Sequence, residues 1–251
     1  MDSIPTADAI AARLAEGPPI LIDGGTGTEL ERLGATLHEE VWSARAALTD
    51  GDILRRVHQA YLDAGAEIII ANTYSCNYHM MVSAGLGDEF DAANREALKL
   101  ARDARETAPN RQERPAWVAG SMSTTTLSKG LERSRIEEAS GPGDSYRAQA
   151  QIIADVGVDL IMLEMMRDVT QTRLCLEAAL ETGFPVWLGF SAERGPQGEL
   201  WLHGSQTPFE EGLGRVLEGG GTPQAVGVMH SEIELTPDAL EVVQIGRASC
   251  R

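Results

Sequence analysis

The chain has 251 residues, with 38 Asp and Glu against 21 Lys and Arg, which gives a formal net charge of -17. Nucleic-acid binding needs a basic surface and an anionic membrane repels an acidic chain, so neither partner is expected. No apolar run approaches the roughly 18 residues of a membrane helix, and no signal-like segment opens the chain, so a cytoplasmic protein is predicted. The three cysteines, Cys76, Cys175 and Cys250, form no C-x-x-C pair.

Short apolar runs alternate with longer amphipathic segments along the whole chain. Each run is bounded by Gly, Pro or a charge, which is typical of strands buried on both faces. The runs are Pro19–Ile22, Glu67–Ala71, Ala116–Ala119, Asp159–Leu163, Pro185–Phe190 and Ala225–Val228. The segments between them predict helices over Asp52–Ala64, Glu89–Thr107, Ser145–Val156, Asp168–Thr182 and Pro208–Leu217. Gly65, Gly157 and Gly183 each separate a helix from a strand, where the left-handed conformation is expected.

Repeated β–α units imply a parallel sheet, and six units suit either a doubly wound sheet or most of a barrel. A polar residue ends every predicted strand: Asp23, Asn72, Ser121, Glu164, Ser191 and His230. A barrel brings all its strand ends to one face, whereas a doubly wound sheet has its site at one switch point. We therefore predict an α/β fold over residues 1–243, a (β/α)8 TIM barrel of which about six βα units are present.

The last eight residues break the pattern of a helix that begins near Thr236. Their sequence, Gln-Ile-Gly-Arg-Ala-Ser-Cys-Arg, resembles the translation of a common sequencing adapter. Residues 244–251 are therefore expected to be a non-native tail. The barrel is expected to stop before its seventh and eighth strands.

The stretch Asp23-Gly24-Gly25-Thr26-Gly27-Thr28 is the most informative motif. Its spacing matches neither of the common nucleotide-binding loops, and Asp23 would repel a phosphate. A strand-end carboxylate followed by glycines suits an amino acid, because the carboxylate binds the ammonium group and the amides bind the carboxylate. A glycine-rich turn capped by Asp23 explains the same residues without a ligand.

Glu164 follows a predicted buried strand directly, where a carboxylate is costly unless it is paired or holds a ligand. It can share an ammonium group with Asp23, or form an ion pair with Arg167. Asn72 and Thr73 follow the second strand and are candidates for substrate contact. The same two residues can instead cap the next helix.

His230 ends the sixth predicted strand and is the candidate metal ligand. A catalytic zinc site takes three protein ligands, and Cys76 and Cys175 do not have ligand spacing. Taken alone, His230 therefore fits a hydrogen-bonded structural residue as well as a metal ligand.

Five pieces of the chain, all at strand ends, resemble the homocysteine S-methyltransferase family. They are Asp23–Thr28, Ala71–Tyr74, Ala119–Ser121, Leu163–Met165 and Gly227–His230. The resemblance runs from about Pro19 to about Val243. It implies a (β/α)8 barrel, a zinc ion held by three cysteines, and methyl transfer to the sulfur of homocysteine, as in methionine biosynthesis.

The resemblance also implies roles for individual residues. Asp23 and Glu164 match the family's two acidic contacts to the substrate ammonium group, and Gly24 and Gly25 match the glycines beside the first. His230 falls where the family has its first zinc cysteine, and the adjacent pair that supplies the other two ligands is expected beyond the end of this chain. A site of one His and two Cys has no net charge with Zn²⁺, against -1 for three thiolates. A bound thiol would then ionise more readily and be less nucleophilic.

These expectations combine into a zinc-dependent methyltransferase that acts on homocysteine or a similar thiol, with a small-molecule methyl donor. The zinc site is expected in the full-length parent, the truncated chain is expected to be inactive, and an oligomer is possible. One alternative is an inactive fragment or an amino-acid-binding remnant. A second alternative is another metal-assisted barrel enzyme with His230 as a ligand.

Overall fold

A computed structural model describes residues 7–108, 115–124, 142–218 and 221–249. The helices are α1 (Ala7–Ala15), α2 (Thr26–Arg32), α3 (Ala46–Thr49), α4 (Gly51–Asp63), α5 (Tyr78–Ser83), α6 (Phe90–Thr107), α7 (Pro142–Val156), α8 (Val169–Leu180), α9 (Phe209–Leu217) and α10 (Thr236–Ser249). The strands are β1 (Ile68–Ile70), β2 (Trp117–Ser123), β3 (Leu160–Met166), β4 (Val186–Phe190), β5 (Ala192–Arg194), β6 (Leu200–Leu202) and β7 (Ala225–Val228). Among these described helices, none has the length and apolar character needed to cross a membrane.

One parallel sheet organises the structure, with strand order β1-β2-β3-β4-β7. The predicted α/β fold with a parallel sheet is thus confirmed. The run Pro19–Ile22, predicted as the first strand, makes only one parallel bridge, between Ile22 and Ile68. An antiparallel hairpin of β5 and β6 follows β4 and was not predicted. Its strands have three residues each, which is too short for a clear alternation of apolar and polar side chains.

The sheet buries apolar side chains on both faces, as the continuous apolar runs predict. Ile69, Val118 and Ile161 belong to the large cluster that includes the buried helix residues. Alternate residues form a second cluster on the other face: Ile68, Trp117, Ala119, Leu160 and Met162, with Ile20, Ile70, Trp187 and Met229 packed against them. This second cluster spans the sheet from the segment before β1 to the residue after β7.

Helix α1 covers one end of this second cluster. Its Ile10 is buried there, and its Arg13 forms two hydrogen bonds with Glu67, at 2.7 and 2.8 Å. Glu67 directly precedes β1, so this ion pair fixes α1 near the amino end of that strand. The opposite, carboxyl end of the sheet carries the polar strand ends.

The joints between helices and strands follow the sequence pattern. Gly65, Gly157 and Gly183 have φ values of 101°, 84° and 76°, which confirms the predicted left-handed turns. The last helix differs from expectation, because α10 continues past Val243 to Ser249 instead of ending at the octapeptide.

Candidate active site

Asp23 lies at the carboxyl end of the first apolar run. Its amide donates to the Ile68 carbonyl at 2.9 Å, and its Oδ2 accepts from the Ile70 amide at 2.8 Å. Its Oδ1 is buried and has no hydrogen-bond partner among the described residues. Burial raises the pKa of Asp23 to about 8, the Ile70 amide opposes that shift, and the charge of Glu164 adds to it. The group is therefore well placed to receive a cation.

Glu164 lies near the end of β3, with 8% of its surface exposed. The Ser121 hydroxyl of β2 donates to its Oε1, and the His230 Nε2 lies 3.3 Å from its Oε2. The register of β3 against β4 shifts between Leu163 and Met166, as at a β-bulge. Both oxygens of Glu164 thus contact side chains from other strands: Ser121 lies on the adjacent β2, and His230 follows β7.

His230 follows β7 with a left-handed φ of 47°, a conformation that is uncommon for residues other than glycine, although Asn, Asp and His adopt it more often than the rest. Its imidazole is 44% exposed and stacks on the Tyr74 ring, with centroids 5.8 Å apart and planes at 28°. The Tyr74 hydroxyl donates to the Met165 Sδ at 3.0 Å. Met165 also has a positive φ, of 56°. Uncommon backbone conformations of this kind cluster at functional sites.

Asn72 and Thr73 are buried, and their side chains form hydrogen bonds with other residues of the chain. The Asn72 side chain accepts from the Ser43 hydroxyl at 2.9 Å and donates to the Ser43 carbonyl at 2.7 Å. The Thr73 hydroxyl donates to the Ser121 carbonyl at 2.7 Å and accepts from the Ser121 amide at 2.9 Å. Neither residue caps α5, because Asn77 does so. Their contact with a substrate stays a prediction.

The loop from Asn72 to Asn77, called here the 72–77 loop, is held by its main chain. Three of its carbonyl groups accept hydrogen bonds from buried or part-buried side chains of three other elements. The pairs are Thr73 with Gln149 of α7 at 3.0 Å, Tyr74 with Ser123 of β2 at 2.8 Å, and Cys76 with Asn94 of α6 at 2.9 Å. These contacts fix the loop that places the Tyr74 ring against His230.

Gly24 and Gly25 are exposed just before α2, where Gly25 is the N-terminal cap residue. A Cβ on Gly24 would lie 3.0 Å from the Tyr61 hydroxyl. A side chain at that position would therefore require the tyrosine to move by a few tenths of an ångström. The first amides of a helix lack partners within the helix, which suits the predicted contact with a carboxylate.

The residues that the structure describes do not complete a three-ligand metal site. Among the described residues no group of three His, Cys, Asp or Glu side chains is placed to hold an ion. His230 and Glu164 together offer two ligands. Cys76 and Cys175 are fully buried in the core, and burial raises the pKa of both thiols.

Asp23, Glu164 and His230 thus come together as the sequence predicts, and two further residues join them. Ser121 was noted as a polar strand end, and Tyr74 was noted only within a motif, with no role assigned to either. The sequence signal for Ser121 was its place after the third apolar run, because parallel strands bring the residues that follow such runs to the same edge of the sheet.

Comparison with known proteins identifies the family of the chain. A profile of the family described as homocysteine S-methyltransferase matches residues 20–245. Homocysteine S-methyltransferase 4 of Zea mays is 32% identical over 195 residues, which cover 70% of this chain and 56% of the relative. Selenocysteine methyltransferase of Astragalus bisulcatus is 30% identical over 203 residues, covering 71% of this chain and 60% of the relative. The chain therefore spans under two thirds of these relatives.

Solved structures agree at the level of the fold. The oxidized form of the homocysteine methyltransferase MmuM from Escherichia coli superposes with a TM-score of 0.74 at 24% identity, covering 93% of this chain and 81% of that one. The metallated form of the same protein gives a TM-score of 0.72 at 24% identity, over 92% and 81% of the two chains. With the family profile matching nearly the whole chain, this protein belongs to the homocysteine S-methyltransferase family.

Proposed function

We propose that this chain forms the amino-acid site of a thiol S-methyltransferase, with homocysteine or a similar thiol as the methyl acceptor. The observation that carries the proposal is the pair of carboxylates at two separate strand ends. Asp23 has a buried oxygen without a partner among the described residues, and its pKa is raised partly by the charge of Glu164. A substrate ammonium group placed between them satisfies the orphaned oxygen and offsets the repulsion of the two charges.

The chain's own residues explain binding and orientation. Ser121 holds one oxygen of Glu164, and the amides at Gly24 and Gly25, which are exposed just before α2, are assigned to the substrate carboxylate. The acceptor sulfur then attacks the donor's methyl carbon in line with the leaving group, and the bond from that carbon to the donor breaks. Such a transfer needs no protein nucleophile, so the main contribution of these residues is positioning.

The sheet is proposed to be the larger part of a (β/α)8 barrel. The second apolar cluster supports a barrel, since it extends across the whole sheet from Ile20 to Met229. All five main strands are parallel, and their polar ends share one edge.

Zinc is not supported by the described residues alone. A catalytic zinc site takes three protein ligands, and His230 with Glu164 provides two. The expected zinc site with His230 therefore stays a prediction that needs further ligands outside the described residues, and no step above depends on it. Metal content of the purified protein, compared with that of His230→Ala, tests the ligand role directly.

The experiment that tests the proposed function is calorimetric titration of the chain with homocysteine. Asp23→Asn and Glu164→Gln should each weaken binding by about 1.5–3 kcal/mol, the usual loss for a charged hydrogen bond. Asp91→Asn is the matched control, because that carboxylate lies on the exposed side of α6 and pairs with Arg95. Wild-type affinity in both site variants would exclude the carboxylate pair as the ammonium site.

Affinity should also depend on pH in a defined direction. Asp23 has a pKa of about 8 and must lose its proton to pair with an ammonium group. Binding should therefore weaken about tenfold for each pH unit below 8, with one proton released per ligand bound. Titrations in two buffers of different ionisation enthalpy measure that proton, and its absence would show that Asp23 is already ionised or does not take part.

A further inference from the structure

The His230 imidazole contacts the carboxylate that is assigned to the substrate ammonium group. Its Nε2 lies 3.3 Å from the Oε2 of Glu164. The other oxygen of that carboxylate accepts a hydrogen bond from the Ser121 hydroxyl of β2. The β2 side of Glu164 is therefore closed by the protein, and the imidazole lies on the side that is left.

The ring is held in place before any ligand binds. It stacks on Tyr74, whose hydroxyl donates in turn to the Met165 Sδ at 3.0 Å. The Ser191 hydroxyl donates to the Met229 carbonyl at 2.9 Å, which ties the backbone just before His230 to the end of β4. A group that is already fixed loses little freedom when it binds a ligand, so its contacts contribute more to affinity.

The imidazole is nevertheless accessible. Its side chain is 44% exposed, against 10% for the side chain of Glu164. The left-handed φ of 47° at His230 is a strained conformation that persists only where the surrounding structure holds it. The backbone thus keeps an exposed ring beside a buried carboxylate, which is a suitable place for contact with a ligand.

The contact with Glu164 decides which ring nitrogen is available to a ligand. An ionised carboxylate only accepts hydrogen bonds, so the hydrogen of the neutral imidazole lies on Nε2 and the lone pair lies on Nδ1. A thiol is a weak hydrogen-bond donor, and such a nitrogen is a suitable acceptor for it. The half-buried ring of Tyr74 and the thioether of Met165 lie next to the imidazole or its support, and polarisable groups of this kind make favourable contacts with sulfur.

We propose that His230 binds the sulfur end of the amino-acid acceptor, with its Nδ1 accepting the hydrogen bond of the thiol. This inference rests on the proposed function and adds recognition of the thiol to that of the ammonium and carboxylate groups. The substrate carboxylate is assigned to the glycine amides beside Asp23, and Ser121 closes the β2 side of Glu164. The thiol arm therefore extends past His230. The contact is direct, so the affinity that it provides does not depend on a metal ion.

The test compares two ligands by calorimetry under reducing conditions, with and without EDTA. Homocysteine carries the thiol, and 2-aminobutyrate is the same molecule without the sulfur atom. His230→Gly removes the imidazole and also relieves the left-handed strain, so this variant is compatible with folding. It should weaken homocysteine binding by about threefold to tenfold, the range for one neutral hydrogen bond. The affinity for 2-aminobutyrate should stay unchanged, because Ser121 still holds Glu164.

Two further variants control the comparison. His230→Asn keeps an amide group that donates to Glu164 and a carbonyl that accepts from the thiol, and asparagine tolerates the left-handed conformation. This variant should recover part of the lost preference for homocysteine. His203→Gln removes a partly exposed imidazole that lies 3.4 Å from Glu193, so it should change the affinity for neither ligand.

The outcomes separate this inference from the proposed function. If wild type and His230→Gly prefer homocysteine over 2-aminobutyrate by the same ratio, the thiol is bound elsewhere and the inference is overturned. Equal weakening of both ligands in His230→Gly would overturn it as well, because the imidazole would then act only through Glu164. If EDTA abolishes the preference of wild type for homocysteine, a metal ion mediates the contact and the direct bond is refuted. If wild type binds neither ligand, the proposed function itself fails, and this inference fails with it.

Discussion

Burial of His58 should make folding of this chain more sensitive to acid, and replacing the residue should remove the part of that sensitivity that the histidine contributes. The residue lies on α4 and is fully buried, and neither ring nitrogen has a hydrogen-bond partner among the described residues. Burial lowers the pKa of His58 from 6.5 to about 4. The imidazole is therefore held neutral in the folded protein, with no acid to stabilise its charged form.

The magnitude follows from the two pKa values. Below pH 6.5 the unfolded chain takes up a proton on this histidine that the folded chain resists, so stability falls as the pH drops. The loss begins near pH 6.5 and is complete near pH 4, and no loss from this group occurs above that window. At pH 4.5 the contribution is about 2.5 kcal/mol, from 1.36 kcal/mol for each unit of difference.

Urea unfolding of wild type and His58→Leu at pH 7.5 and pH 4.5 measures this effect. The difference in unfolding free energy between the two proteins should shift by about 2.5 kcal/mol in favour of the variant at the lower pH. Carboxyl groups titrate in both proteins, so their contribution cancels in the comparison. His203→Gln, at a partly exposed side chain, serves as the control. An equal loss of stability in wild type and His58→Leu would refute the reasoning.

Two other predictions concern buried polar contacts. Gln149→Leu removes the bonds to the Thr73 carbonyl and to Asn94, so it should cost about 1–3 kcal/mol in urea unfolding and speed hydrogen exchange in the 72–77 loop; unchanged exchange there would show that the loop does not depend on this contact. Arg105→Met leaves Asp159 buried without its cation and should cost about 3–5 kcal/mol. Adding Asp159→Leu should recover much of that loss, and a double variant no more stable than the single one would contradict this account.

The strand ends are the part of the site that the sequence predicts well. Asp23, Glu164 and His230 each follow an apolar run, and a parallel sheet brings such positions to one edge whatever the details of packing. The left-handed joints at Gly65 and Gly157 are equally local, because a glycine between a helix and a strand has few other uses.

What the sequence could not supply are the contacts that depend on register. The register shift between Leu163 and Met166 contains Glu164 and Met165, and it belongs to the pairing of β3 with β4. Thr73 meets Ser121 because β1 and β2 lie side by side. Such pairings join residues far apart in the chain, so no local pattern of residue types reveals them.

The way in which the 72–77 loop is held has a consequence for how this site can diverge. The main-chain carbonyls of the loop accept hydrogen bonds from Gln149, Ser123 and Asn94, and every amino acid has a main-chain carbonyl. The side chain at Tyr74, which is only partly buried, can therefore be exchanged during evolution while the loop keeps its shape. Related proteins can thus acquire preferences for new small molecules through single substitutions in the loop, while the buried residues that donate hydrogen bonds to it are unchanged.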